Sequence, residues 1–182
     1  MVNRRLVFKP LTTNQDANAW VLRKDLLTSK ECSDIIKVGE SMKPEHSTIG
    51  YERSEDSSHR DCSVSWIEQE DQNPVVVNLW DKLMETIQGA NYQAWRFNLS
   101  YVWDKIQYTV YDEGNFFNYH MDLGAKETAC RKISCSVLLN DPSEFEGGEF
   151  QFYKDRPVTL TKGDIVVFPS FLLHRVTPVT KG

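Results

Sequence analysis

From residue 92 onward the chain is a succession of short alternating segments, each cut off by turn residues. This feature limits the fold more than any other. WRFNL (95–99), IQYTVY (106–111), FNYHMD (117–122), ISCSVLL (133–139), FQFY (150–153), PVTL (157–160), DIVVF (164–168) and LHRVTPV (173–179) follow one another. Turn residues at 112–115, 141–142, 147–148 and 162–163 stand between them. Apolar and polar residues alternating with a period of two mark half-buried strands. Many short strands at regular spacing close into a sandwich or barrel.

The first half has a different rhythm. Residues 28–42 read as a helix, opened by the capping box of Thr28 and Glu31, with Cys32, Ile35, Ile36, Gly39 and Met42 on one face. Asn73 and Pro74 open a second helix. Its apolar stripe is Val76, Val77, Trp80, Leu83, Met84 and Ile87, and Gly89 offers a stop. The polar stretch from Lys43 to Arg60 reads as a surface loop, either a lid or a plain connection. His46 and His59 fall in it and read as solvated. Ser63–Trp66 is a candidate short strand. Trp66, Trp95 and Trp103 fit core or cleft equally. The expectation is an α+β protein with one domain over 1–182. Residues 1–91 supply mostly helical and loop support, and 92–182 form the β body.

Charge and composition narrow the function classes. A net charge of -5 and a pI near 5.4 repel phosphate backbones, so no nucleic-acid partner is expected. The start, MVNRRLVFKP, has no apolar run after its arginines, and no segment is long and apolar enough to span a membrane. Cytoplasmic residence is the default expectation. The four cysteines form no CxxC pair. Cys135 reads as a core residue, and Cys62 and Cys130 as free surface thiols.

His120 and Asp122 stand two apart in a strand pattern, which places both side chains on one face. His174 lies in another strand-like segment that a barrel can bring alongside. Two histidines and a carboxylate on one face of an ion leave its other positions open, as non-haem Fe(II) oxygenases require. Spacing alone leaves this reading level with that of ordinary strand histidines.

The segments YDEGNFFNYHMD (111–122), RKISCSVLLND (131–141), FEGGEFQF (145–152) and KGDIVVFPSFLLHRVTPV (162–179) tip the balance. They resemble Fe(II)/2-oxoglutarate-dependent dioxygenases, in particular prolyl 4-hydroxylases and the bacterial PKHD-type hydroxylases. The similarity runs over roughly residues 95–182. It implies a double-stranded β-helix, or jelly-roll, with the N-terminal helices packed against one sheet. It implies His120, Asp122 and His174 as ligands of Fe(II), with 2-oxoglutarate and O2 at the remaining positions and ascorbate as a reductant. The reaction implied is decarboxylation of the keto acid to succinate coupled to hydroxylation of a C–H bond. The substrate would be a prolyl residue in a peptide, or else a free amino acid or other small molecule.

The same resemblance assigns further residues. Tyr111 matches a family tyrosine that hydrogen-bonds the cosubstrate, and Ser136, Leu138 and Val176 fall in its pocket. Alternation supports part of this, because Lys132, Ser134, Ser136 and Leu138 share one small and polar face. That face suits either a pocket or solvent. Arg131 matches an arginine at the substrate entrance, and an exposed strand-end cation is the other reading. Phe117 stands where many prolyl hydroxylases have a tyrosine, and so lacks the hydroxyl. The family's basic anchor for the distal carboxylate falls just beyond Gly182, so a truncated last strand is expected, with Lys181 reaching in through a bulge as the alternative. A cupin-like metal protein that does not use 2-oxoglutarate, and a non-catalytic jelly-roll module, remain as competing classes. The oligomeric state is not legible.

Overall fold

The computed structural model describes residues 19–46, 58–102 and 104–182. Strands β1 (Val21–Arg23) and β2 (Glu45–His46) flank helix α1 (Ser29–Glu40). Strands β3 (Arg60–Asp61) and β4 (Ser63–Ile67) precede helix α2 (Pro74–Ala90). Then come β5 (Ile106–Val110), β6 (Phe116–His120), β7 (Ile133–Val137), β8 (Glu146–Gly147) and β9 (Phe150–Phe152). β10 (Ile165–Pro169), β11 (His174–Val176) and β12 (Val179–Lys181) complete the chain. Most of the lid-or-connection segment, together with Trp103, lies outside the described residues.

Both helices start where the caps direct. Thr28 accepts from the Glu31 amide while the Glu31 carboxylate accepts from the Thr28 amide. Asn73 accepts from the Val75 amide. Gly89 does not end α2. The helix runs through Ala90 into a π-helical turn, Asn91–Trp95, which Arg96 closes in the left-handed region at φ 56°. WRFNL is therefore not a strand. The Asn91 side chain takes over the pairing there, accepting from the Phe97 amide and donating to the Phe97 carbonyl. PVTL is not a strand either, since one isolated bridge, Gln151 to Pro157, is all it makes. The N-terminal half contributes four short strands; β4 is the expected one near Ser63–Trp66, and the weak patterning of β1, β2 and β3 hides the others.

All pairings are antiparallel. β10 lies between β1 and β7, and β3, β6, β11 and β9 form a second sheet in that order. β10 is buried along its whole length and serves two cores. Ile165 and Val167 cluster with Leu26, Leu27, Cys32, Ile35, Leu79, Leu83 and Ala90 from the helical side. Val166 and Phe168 point to the other face, against Phe150, Phe152 and Val158. The side of α1 comes so close to β5 that a Cβ on Gly39 would sit 2.4 Å from the Tyr108 ring, which only glycine permits.

Among the described residues β5 pairs with β4 alone and β7 with β10 alone. Residues of both strands line one broad cleft of about 2550 Å³.

The turn into β10 is held by one carboxylate. Asp164 is fully buried and accepts from the Lys24 ammonium, the Asp25 amide, and the amide and hydroxyl of Thr161. Burial alone would raise its pKa, but Lys24, Thr161 and Asp25 outweigh this and hold it at about 2. The stabilisation is thus present above the ordinary carboxylate pKa and is lost as pH falls through about 2. Replacing Asp164 with Ala strands the buried donors and is expected to cost about 3 kcal/mol. Calorimetry at neutral pH should record this as a Tm lower by roughly 6–12 °C.

Candidate metal centre

The site is built on the pairing of β6 with β11. His174 lies directly opposite His120, and Val176 lies opposite Phe117. Two steps along β11 thus match three along β6, which is a β-bulge. The bulge turns Phe117 onto the face of His120, three residues on, where alternation would have placed it on the opposite side. The two rings stack at 3.5 Å, only 10° from parallel. β6 ends at His120, so Asp122 stands in the loop just past the strand rather than within it. LHRVTPV likewise divides, into β11 and β12, with Thr177 and Pro178 between.

His120, Asp122 and His174 bring one ligand atom each to within 4.8 Å of one another. His120 Nε2 is 3.7 Å from one Asp122 oxygen, and His174 Nε2 is 3.8 Å from the other. An ion about 2.1 Å from each donor spans such separations. The ring orientation is fixed from behind. His120 Nδ1 donates to the Asn118 carbonyl and His174 Nδ1 to the Leu172 carbonyl. A carbonyl only accepts, so each Nδ1 carries the proton and each Nε2 lone pair faces the centre. Burial and the nearby His174 push the His120 pKa down to about 4, so this ring is neutral at pH 7. His174 is buried against Phe150 and Phe168, whose ring centroids lie 5.3 and 4.6 Å away. Two imidazoles and a carboxylate facing an open cleft fit a divalent iron with exchangeable positions.

The residues assigned around this centre line the same cleft. Tyr111, Phe117, Arg131, Ser136, Leu138 and Val176 all border it. Ser134 and Ser136 pair opposite Phe168 and Val166, so they face inward with His174. Ser134 shares a hydrogen bond with buried Ser170 at 2.9 Å. Burial raises the Tyr111 phenol, with Cys62 adding to the effect. Arg131 is engaged at the ligand loop. It makes a bidentate pair with Asp104, at 2.7 and 2.9 Å, and donates to the Asp122 carbonyl at 3.1 Å. Lys181 does not reach in. Its ammonium pairs with Glu146, and both side chains are exposed.

Three further assignments are corrected, while Cys135 keeps its core reading. Cys62 is a buried thiol and not a surface one. His59 is half-buried, with its ring edge-on to Phe117. The contact of His59 with Phe117 was not readable without knowing that β3 pairs with β6. Arg60 is not the end of a solvated loop. It is 6% exposed, and its guanidinium lies 4.4 Å from the centre of the Phe117 ring. Cys135 sits on the helical face, half-buried, with its thiol pushed up to about 12 by burial. The signal for Arg60 was present in HRDCSVSWI, where Arg60 falls in phase with Cys62 and Val64, both buried.

The fold is similar to that of solved 2OG-Fe(II) oxygenases, and the His-Asp-His cluster is a candidate iron site. Residues 106–182 match the model of the 2OG-Fe(II) oxygenase superfamily. A PKHD-type hydroxylase of Xylella fastidiosa is 37% identical over 89 residues, which is 42% of this chain and 39% of that protein. The chain therefore spans well under two thirds of the curated relatives it matches. A viral collagen prolyl hydroxylase from Paramecium Bursaria Chlorella virus-1, solved as a 2OG complex, superposes with a TM-score of 0.68 at 20% identity, over 92% of both chains. A prolyl hydroxylase from Trichoplax adhaerens, solved with a hypoxia inducible factor peptide, gives 0.72 at 15% identity, over 90% of this chain and 79% of that one. The resemblance read from the sequence is borne out, and so is the jelly-roll fold.

Arg131 holds Asp122 from outside the ligand set. Arg131→Met is expected to weaken Mn(II) binding about tenfold by calorimetry while leaving the far-ultraviolet spectrum unchanged. Unchanged affinity would reduce the clamp to a surface ion pair.

Proposed function

We propose that the chain carries the catalytic site of an Fe(II)- and 2-oxoglutarate-dependent dioxygenase that hydroxylates a C–H bond, most simply in a prolyl residue of a peptide. The observation that carries this reading is the convergence of two Nε2 lone pairs and one carboxylate on a face that opens into the cleft. Relatives described as PKHD-type hydroxylases and neighbours described as prolyl hydroxylases support it.

In this reading His120, Asp122 and His174 hold Fe(II). When bound, the iron with 2-oxoglutarate and O2 supplies oxidative decarboxylation coupled to hydroxylation. The chain's own residues do the positioning. Tyr111 offers its hydroxyl to the keto acid, and burial keeps that hydroxyl protonated and able to donate. Ser136, Leu138 and Val176 form the wall of the cosubstrate pocket. Phe117 presents an apolar ring beside the first ligand, and the clamped Arg131 borders the substrate side. Phe150, Phe152 and Phe168 keep the inner side of His174 dry.

An anaerobic optical titration with Fe(II) and then 2-oxoglutarate should give a saturable visible charge-transfer band. Iron that binds without the band would favour a metal protein that does not use the keto acid. His120→Ala and Asp122→Ala should each abolish iron-dependent succinate formation with the fold retained, and full turnover in both would sink the ligand assignment. In Tyr111→Phe the affinity for 2-oxoglutarate should fall about tenfold while that for iron holds, consistent with loss of one hydrogen bond to a charged group.

A further inference from the structure

Arg60 is the one lysine or arginine buried among the described residues, and it is buried beside the candidate metal site. It stands opposite Phe117 across the β3–β6 pair. His120 covers one face of the Phe117 ring at 3.5 Å, so the guanidinium lies over the other. Its Nε donates to the Cys62 thiol at 3.1 Å, and one terminal nitrogen donates to the Gln107 side-chain carbonyl at 2.8 Å. The Tyr111 hydroxyl also interacts with it. A thiol, a carboxamide and a phenol carry no compensating charge. No carboxylate of the described residues forms an ion pair with Arg60.

The contrast with Arg131 is direct. That guanidinium is matched by Asp104 in a bidentate pair. A buried, uncompensated charge is costly, and a fold retains one where a ligand of opposite sign completes it. The charges of the site say which ligand. Asp122 leaves a divalent ion one positive charge in excess, and Arg60 adds a second. A dianion cancels both, or two single carboxylates do. The planar fork of an arginine suits a carboxylate in particular.

We propose that Arg60 is a carboxylate-receiving residue of this site. The carboxylate comes either from the distal end of the keto-acid cosubstrate or from the substrate itself. The first source rests on the function proposed above.

The test uses Mn(II)-loaded protein, inert to O2, as wild type, Arg60→Met and Arg60→Lys. Calorimetry compares 2-oxoglutarate with 2-oxovalerate, which has the same chelating end and no distal carboxylate. It then compares N-acetyl-L-proline with its amide on protein already loaded with Mn(II) and 2-oxoglutarate. If the cosubstrate is the source, 2-oxoglutarate binds Arg60→Met at least about tenfold more weakly, 2-oxovalerate is unmoved, and Arg60→Lys falls between. If the substrate is the source, both keto acids are unmoved and the preference for N-acetyl-L-proline over its amide collapses. Four unchanged affinities in Arg60→Met overturn the proposal. A wild type that binds neither keto acid refutes the cosubstrate reading, and the acid-against-amide comparison, run on Mn(II) alone, then decides on Arg60. A wild type that binds no carboxylate overturns the proposal too. Should Arg60→Met fail to fold, nitrogen-15 spectra of the wild type decide, because the Arg60 Nε–H signal must shift with a carboxylate probe and not with its neutral counterpart.

Discussion

The pairing of His174 against His120, with one extra residue taken up in β6, sets the geometry on which the site depends. Register brings the two imidazoles to 4.2 Å between centroids. The bulge then rotates the start of β6 so that Phe117 and, across the next pair, Arg60 join the same face. A one-residue slip would send this whole set to the opposite side. The aromatic packing behind His174 makes such a slip costly, since Phe150, Phe152 and Phe168 are all buried against it. Register, core packing and ligand geometry are therefore one constraint.

Two arginines border the centre, and their environments separate their roles. Arg131 is saturated. Its charge is matched by Asp104, and its remaining reach goes to the backbone of the loop carrying Asp122. Removing it perturbs a ligand through its support. Arg60 is buried with neutral partners, so its charge has no counterpart in the described chain. The same residue type is a brace in one place and an open valence in the other, and sequence spacing distinguishes neither.

How much of this was legible follows from range. The helix starts at Thr28 and Asn73 are local chemistry, settled within three residues, and they were readable. The inward face of Ser134 and Ser136 follows from period-two alternation alone. His120, Asp122 and His174 were readable from a resemblance, because spacing on its own left strand histidines equally good. What escaped was set by non-local pairing. Short β1 and β3 have almost no pattern of their own, and they exist because β10 and β6 offer edges. Arg60 escaped with them, hidden at the end of a polar run although in phase with Cys62 and Val64. WRFNL misled for the reverse reason. Its alternation is real, but the Asn91 side chain captures the backbone groups a strand would have needed.

The two walls of the cleft differ in how firmly they are held. On the β6–β11 side His120 and His174 stand in paired strands over an aromatic core, and Asp122 follows just past β6, where Arg131 holds its carbonyl. Across the cleft β5 and β7 each pair on one edge only among the described residues, and β7 is half-buried throughout. Preorganisation is thus greatest for the three candidate metal donors and least for the wall where an organic ligand would rest. Metal affinity should then respond to the ligands and to Arg131, and organic-acid affinity to Tyr111 and Arg60. The two are separable because the elements that fix them are different. A carboxylate bridging from the metal side to Arg60 would couple the ordered wall to the outlying β3, since Arg60 is the one charged group of that strand pair facing inward.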